Sequence, residues 1–276
     1  MQFEKWDNGS ALAYRLWART AARRSLLNAS QFAVGGTQIR DGLLYVAANE
    51  SLTISEVGED GLTILSSLDL GTARDVIVEG SYAFVAAGDR GLVVVDVSDP
   101  ANPMIVSETA AVGYIRKLVQ DRKSVFATAG QFGVMEFDIS DPLAPTWSDV
   151  LYVDNVVDDV DPAPGSLVVT TLTGEIELFG LRGKNRFKKL SSIIAKDWVQ
   201  ATKVRGSHLF VLNANGLVEE YDIGAAARPK KVGEPDTAGL AMTEQTDEAL
   251  QAAFGGTSWF SNSVELYGFV DDDDGE

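Results

Sequence analysis

A short apolar run closed by an acidic or small residue returns along this chain at a nearly constant interval. Leu92-Val-Val-Val-Asp-Val97 comes back as Val134-Met-Glu-Phe-Asp-Ile139, Ile176-Glu-Leu-Phe-Gly-Leu181 and Val218-Glu-Glu-Tyr-Asp-Ile223, each starting 42 residues after the last. Leu52–Val57 lies 40 residues before Leu92, and Val264–Phe269 lies 46 residues after Val218. A period of this size means one supersecondary unit copied and stacked, because a single copy cannot bury its own apolar surface. A second apolar run keeps the same rhythm upstream: Leu43–Val46, Tyr82–Val85, Ser124–Ala127, Leu167–Val169, Leu209–Val211 and a weaker Leu250–Phe254. The turns recur too. Ser98-Asp-Pro100 with Pro103 matches Ser140-Asp-Pro142 with Pro145, and Arg228-Pro229 stands at the corresponding place.

In the clearest copy the β-rich runs are Arg74–Val78 (a), Tyr82–Ala87 (b), Gly91–Val97 (c) and Met104–Ala110 (d). Runs of five to seven residues bounded by Gly, Asp and Pro read as strands in an all-β chain, not as βαβ units. Four antiparallel strands per repeat of about 40 residues predict a β-propeller blade. Leu92-Val-Val-Val-Asp-Val-Ser-Asp-Pro100, preceded by Ala73-Arg-Asp-Val-Ile-Val-Glu-Gly-Ser-Tyr-Ala-Phe-Val-Ala86, resembles the LVIVD-repeat β-propellers. The resemblance covers about residues 72–153 and degrades elsewhere at the Ser-Asp-Pro turn. It implies a propeller and carries no catalytic residues.

The repeat count predicts one propeller over residues 1–270 with an acidic, mobile tail at 271–276. Six blades is the expected number, with seven as the alternative. The last unit has no d-strand after Phe269, while Arg23–Ser30 falls where a d-strand would fall. Pairing those N- and C-terminal segments would close the last blade and remove an exposed edge. Leu12–Trp17 is then surplus, as a helix or a displaced edge strand.

Composition removes several classes of function. With 23 Lys and Arg against 40 Asp and Glu, the net charge is −17, so nucleic acid is not an expected partner. No cysteine excludes disulfides and thiolate chemistry, and a single histidine, His208, disfavours a Ser-His-Asp triad or a histidine-rich metal site. His208 falls in the a–b turn or early b-strand and is expected at the surface. No apolar run reaches the roughly 18 residues of a membrane span. The first residues carry no basic stretch followed by an apolar one, so a cytoplasmic location is expected, or an extracellular or periplasmic one if a signal peptide has been removed.

The start of each a-strand is predicted to line a central channel, which assigns Arg74, Asp75, Arg116, Lys117, Asp158, Asp159 and Gln200 to its mouth. The b–c turns add Asp89, Arg90, Gln131, Phe132, Thr173 and Asn215. Such groups suit a small polar ligand; opposed Arg and Asp would equally well neutralise each other in a wet channel. Asp154, Asp158, Asp159 and Asp161 are oxygen donors of the kind Ca²⁺ or Mg²⁺ takes, but alternation sends Asp158 and Asp159 to opposite faces and no calcium-loop motif is present. No cofactor is expected. Trp198 is assigned to core or blade-to-blade packing, with ligand stacking as the alternative.

The positive charges gather at c–d connections and d-strand starts: Arg19, Arg23 and Arg24; Arg182, Lys184, Arg186, Lys188 and Lys189; Arg228, Lys230 and Lys231. They form either a docking sector for an acidic protein or ordinary edge protection. Together these features describe a non-enzymatic interaction module. A metal-assisted hydrolase or lyase at the channel mouth and a carbohydrate-binding propeller are the alternatives.

Overall fold

The computed structural model describes residues 2–7, 12–20, 23–28, 34–58, 61–213 and 218–233. Three N-terminal strands, β1 (Gln2–Asp7), β2 (Leu12–Thr20) and β3 (Arg23–Asn28), pair antiparallel in that order. Five four-stranded sheets follow. The first holds β4 (Val34–Arg40), β5 (Leu43–Ala48), β6 (Ser51–Gly58) and β7 (Gly61–Asp69); the second β8 (Asp75–Glu79), β9 (Tyr82–Ala86), β10 (Leu92–Asp96) and β11 (Met104–Thr109). The third holds β12 (Leu118–Asp121), β13 (Ser124–Thr128), β14 (Val134–Asp138) and β15 (Thr146–Leu151). The fourth comprises β16 (Val157–Ala163), β17 (Ser166–Thr171), β18 (Ile176–Gly180) and β19 (Lys189–Ile193), and the fifth β20 (Val199–Arg205), β21 (His208–Asn213), β22 (Val218–Asp222) and β23 (Lys230–Gly233).

Strands β10, β14, β18 and β22 begin at the four residues the repeat marks, Leu92, Val134, Ile176 and Val218. Each sheet keeps its strands in chain order, a meander in which every strand pairs with the next. Leu12–Trp17 is strand rather than helix, within β2. Val264–Phe269, the expected partner of Arg23–Ser30, lies outside the described residues, as do Leu250–Phe254 and the acidic tail.

The Asp-x-Ser-Asp-Pro pattern has a hydrogen-bonding reason. Asp96 Oδ1 accepts from Ser98 N at 2.9 Å and Asp99 Oδ1 from Ala101 N at 3.1 Å, two turns closed by side chains before and around Pro100. Asp138 and Asp141 repeat both bonds with Ser140 N at 2.8 Å and Leu143 N at 3.0 Å. Hydrogen bonds from Ser98 and Ser140 hold the Asp96 and Asp138 carboxyls below the usual carboxylate range. Asp222 keeps the first bond, to Gly224 N at 2.9 Å, although its sequence has lost the rest of the motif.

Burial grades across each sheet. The central strands β9, β10, β13, β14, β17 and β18 are almost wholly buried, whereas β11, β15 and β23 are largely exposed. A strand buried on both faces requires a sheet packed on either side, which is why these runs read as continuous Val, Ile, Leu and Phe instead of alternating. Tyr45, Leu52 and Ile54 of the first sheet pack with Val76, Val85, Val93 and Val95 of the second. Phe126, Val134 and Leu151 of the third pack with Val160, Leu167 and Val169 of the fourth, and Val168, Ile176 and Leu178 of the fourth with Leu209, Val211 and Tyr221 of the fifth. Among the described residues the chain forms two compact units, one running to Leu118 and including Asp138–Trp147, the other containing Val119–Phe137 and residues 148–233. Among the described residues no helix is long and apolar enough to cross a membrane.

Two glycines at equivalent repeat positions fix the b–c turns. Gly91 (φ +86°) and Gly133 (φ +88°) take a left-handed conformation, and a Cβ on them would stand 2.3 Å from Thr109 O and 2.0 Å from Leu151 O. The turn therefore lies directly on the end of the d-strand.

Candidate functional site

Strand register decides which side chains share an end of a blade. In the second sheet Asp75 pairs with Ala86, Ala86 with Leu92, and Leu92 with Thr109. The start of a, the end of b, the start of c and the end of d thus lie together, and the fourth sheet repeats this with Val157, Thr171, Ile176 and Ile193. The d–a connections and the b–c turns share this end. The a–b and c–d connections share the other.

The structure puts the candidate channel residues at this end of their own sheets, but several have structural work. Arg74 is exposed, and its Nε donates to the Tyr114 hydroxyl, with the guanidinium 5.5 Å from the centre of that ring. Asp75 is half-buried and bridges two strands, accepting from Val76 N at 2.9 Å and from Leu118 N at 2.8 Å. Arg116 and Lys117 are half-buried just before β12. Asp158 is the extra residue of a β-bulge between Val157 and Asp159, and Gln200 is the extra residue of the same bulge in β20. A bulge breaks the two-residue alternation, so the opposite-face expectation for Asp158 and Asp159 does not follow; Asp158 is half-buried and Asp159 buried.

The acidic run is dispersed rather than gathered. Asp161 is buried and takes an ion pair from Lys203 Nζ at 3.1 Å, while Asp154 is exposed in the connection before β16. Among the described residues no group of three or more His, Asp or Glu side chains could hold a metal ion. His208 opens β21 at the other end of its sheet, half-exposed, with Nδ1 2.7 Å from Glu220 Oε1.

Sequence reasoning missed three glutamates on the c-strands. Glu136, Glu177 and Glu219 are buried, and each holds a cation from the basic stretches: Arg186 on Glu136, Lys189 on Glu177 and Lys231 on Glu219. Arg186 also lies 3.5 Å from Asp149, and Arg182 pairs with Asp121 at 2.8 Å. Four members of the proposed basic sector are thus paired with carboxylates of the protein itself. Lys184, Lys188, Arg228 and Lys230 are exposed at the c–d end; the side chains of Arg19, Arg23 and Arg24 lie outside the described residues. The only sequence signal for this role was the recurrence of Glu inside otherwise apolar c-strands.

Glu219 is the most heavily bonded of the three. At 1% exposure it accepts from Lys196 N at 2.9 Å, Asn213 Nδ2 at 3.0 Å, the Tyr221 hydroxyl at 3.2 Å and Lys231 Nζ. Burial pushes its carboxyl up, and the bonds from Lys231, Lys196 and Asn213 together with the Lys231 charge outweigh that and bring it to about 2. The bond to Lys196 N ties the connection before β20 to the body of the blade.

That connection carries Trp198, which is 58% exposed. This corrects the assignment of Trp198 to core packing: the turn geometry, with Asp197 Oδ1 accepting Trp198 N at 2.7 Å, leaves the indole outside the sheet. Of the b–c candidates, Arg90 pairs with Glu108 at 2.5 Å, and Asp89, Gln131, Phe132 and Thr173 are exposed. Thr173 Oγ1 accepts from Asn155 Nδ2 at 2.7 Å, joining a b–c turn to the d–a connection beside it. Asn215 lies outside the described residues.

No curated protein matches the sequence. Among solved structures, the chain is similar to a functionally unknown protein from Desulfotomaculum acetoxidans DSM 771, with a TM-score of 0.63 at 12% identity over 81% of this chain and 75% of that one. It is also similar to the computationally designed Ika8 protein, with a TM-score of 0.59 at 13% identity over 84% of this chain and 72% of that one. A third likeness is to Hsv2p of Kluyveromyces lactis, with a TM-score of 0.51 at 14% identity over 73% of this chain and 63% of that one. At these identities the likenesses speak to fold alone. Residues 70–110, which contain β8 to β11 and their capped turns, match the model of the LVIVD repeat. The chain therefore carries an LVIVD repeat, and its four-stranded antiparallel sheets are blades of a β-propeller fold.

Proposed function

We propose that this protein is a non-enzymatic interaction module that binds a protein or a small polar ligand through the d–a and b–c end of its blades. One observation carries the reading. The buried carboxylates Glu136, Asp161, Glu177 and Glu219 are bound by cations of the protein itself, while the connections at that end expose Tyr152 and Trp198 to solvent. A hydrolytic site needs carboxylates directed at a substrate; a recognition surface needs accessible aromatic groups on a rigid support. The repeat-built blades supply that support, and the candidate residues Arg74, Asp75, Arg116, Asp158, Asp159 and Gln200 stand at the same end of their own sheets.

Photo-crosslinking residues at Asp89 and Leu172, both in b–c turns, test this against the same residues at Asp41 and Lys123, both in a–b turns. In cells that make the protein, discrete adducts are expected from positions 89 and 172 and not from 41 and 123. Adducts confined to 41 and 123 would overturn the reading.

A further inference from the structure

The d–a connections and b–c turns of the third, fourth and fifth sheets expose several large apolar side chains. Tyr152 is 77% exposed, Ile194 92% and Trp198 58%, and Phe132 and Leu172 are exposed beside them. All five belong to d–a connections or b–c turns of one compact unit. Close approaches between neighbouring turns link the connections that carry Phe132, Tyr152, Leu172 and Trp198. The turn that carries Phe132 (Gly130–Phe132) continues into Gly133, which lies against Leu151 and Tyr152, and Gly130 lies next to Val156. Leu172 N donates to Val156 O at 2.9 Å, and Gly174 rests on Val199, the neighbour of Trp198.

Support beneath the patch is stiff. Asn155 Nδ2 bonds Thr173 Oγ1 and lies 3.5 Å from Glu175 Oε2, and Glu219 holds Lys196 N two residues before Trp198. Large side chains held in water on anchored loops lose little further freedom when a partner covers them. Scattered apolar residues on a surface need no explanation, but several large ones carried on abutting turns at one end suit a contact surface.

Charge states the partner. Asp154, Glu175 and Asp197 are exposed among these residues, with Lys196 the one cation in the same connections, and the whole chain carries −17. Nucleic acid and anionic lipid would be repelled, and an acidic protein likewise. We infer that this end of the third, fourth and fifth blades docks a basic protein segment with interleaved apolar side chains, its Leu or Trp residues on Tyr152, Ile194 and Trp198 and its Lys or Arg residues on Asp154, Glu175 and Asp197. The inference rests on the interaction-module reading and narrows it to one surface and one partner chemistry.

A fluorescein-labelled peptide of alternating Lys and Leu with one Trp, read by anisotropy against the intact protein, is the probe. Peptides with Gln or Glu in place of Lys are the controls. Saturable binding of the Lys peptide is expected, falling at least tenfold between 50 and 300 mM salt as surface charge contacts are screened. Tyr152→Ser/Trp198→Ser is expected to weaken it tenfold or more with an unchanged melting temperature. Asp154→Asn/Glu175→Gln/Asp197→Asn should weaken it and flatten the salt dependence. Asp41→Asn/Glu56→Gln/Glu79→Gln, which removes as many charges from the a–b ends of the first two sheets, should leave binding intact. Equal binding of the Gln peptide, equal loss from the Asp41 triple variant, or no binding of the Lys peptide would each overturn the proposal. Crosslinks at Asp89 without any at Leu172 would overturn it too, while sparing the broader module.

Discussion

The backbone of Gly36 and the carboxylate of Asp75 occupy touching positions: a Cβ on Gly36 would fall 1.5 Å from Asp75 Oδ1. Gly36 N donates to Arg74 O at 2.7 Å, so the first two blades meet backbone to backbone at this point. The Asp75 carboxylate reaches past the glycine to Leu118 N, which begins the third blade. Gly36→Ala is expected to destabilise by about 1–3 kcal/mol through overpacking, read by urea unfolding. Gly36→Ala/Asp75→Gly should lose less than the sum of the single variants, because the second substitution empties the space the methyl needs. Strict additivity would refute this contact.

The acid stability of the fifth blade should depend on Glu219. Its carboxyl is depressed from 4.5 to about 2 in the folded protein, so the stabilisation is fully present above the unfolded value and is lost as pH falls from about 5 toward 2. The shift corresponds to on the order of 3 kcal/mol. Glu219→Gln should lower stability at neutral pH and flatten the acid limb of a denaturation series by about that amount. A limb parallel to that of the parent protein would remove Glu219 as its cause.

The basic stretches should divide into two kinds under mutation. Arg186→Met removes the cation from buried Glu136, to which Ser124 Oγ still donates at 2.8 Å, and a buried carboxylate that loses its charge partner costs up to about 3–5 kcal/mol. Lys184→Gln, Lys188→Gln and Lys230→Gln alter exposed residues and should stay within about 0.5 kcal/mol. Chemical denaturation of the four variants separates the groups. A uniform response across them would mean that the ion pairs do not anchor the c-strands.

Closure by the N-terminus is open to a direct deletion. If Arg23–Ser30 completes the blade of Val264–Phe269, removal of residues 1–30 should expose a strand edge and cause aggregation or loss of cooperative unfolding. Calorimetry and light scattering on the truncated chain read both. A truncated protein that melts like the intact one would exclude the closure.

The strand starts at Leu92, Val134, Ile176 and Val218, the four strands per repeat and the Asp-capped turns were determined by sequence alone. Each depends on residues a few positions apart: β-branched runs favour extended chain, Asp accepts from a backbone N–H two residues on, and Pro fixes its own φ. The placement of Arg186 on Glu136 and Lys231 on Glu219 was decided only by the tertiary structure, since the paired residues stand 50 and 12 positions apart in the chain. The same holds for the bulges at Asp158 and Gln200, which altered the alternation that strand pattern predicts. Trp198 shows the difference most plainly. An aromatic residue at the start of a strand has the composition of a core residue, and only the turn at Asp197 and the anchor from Glu219 to Lys196 leave it in solvent. Local pattern sets which segments extend, whereas exposure depends on what the rest of the fold brings alongside.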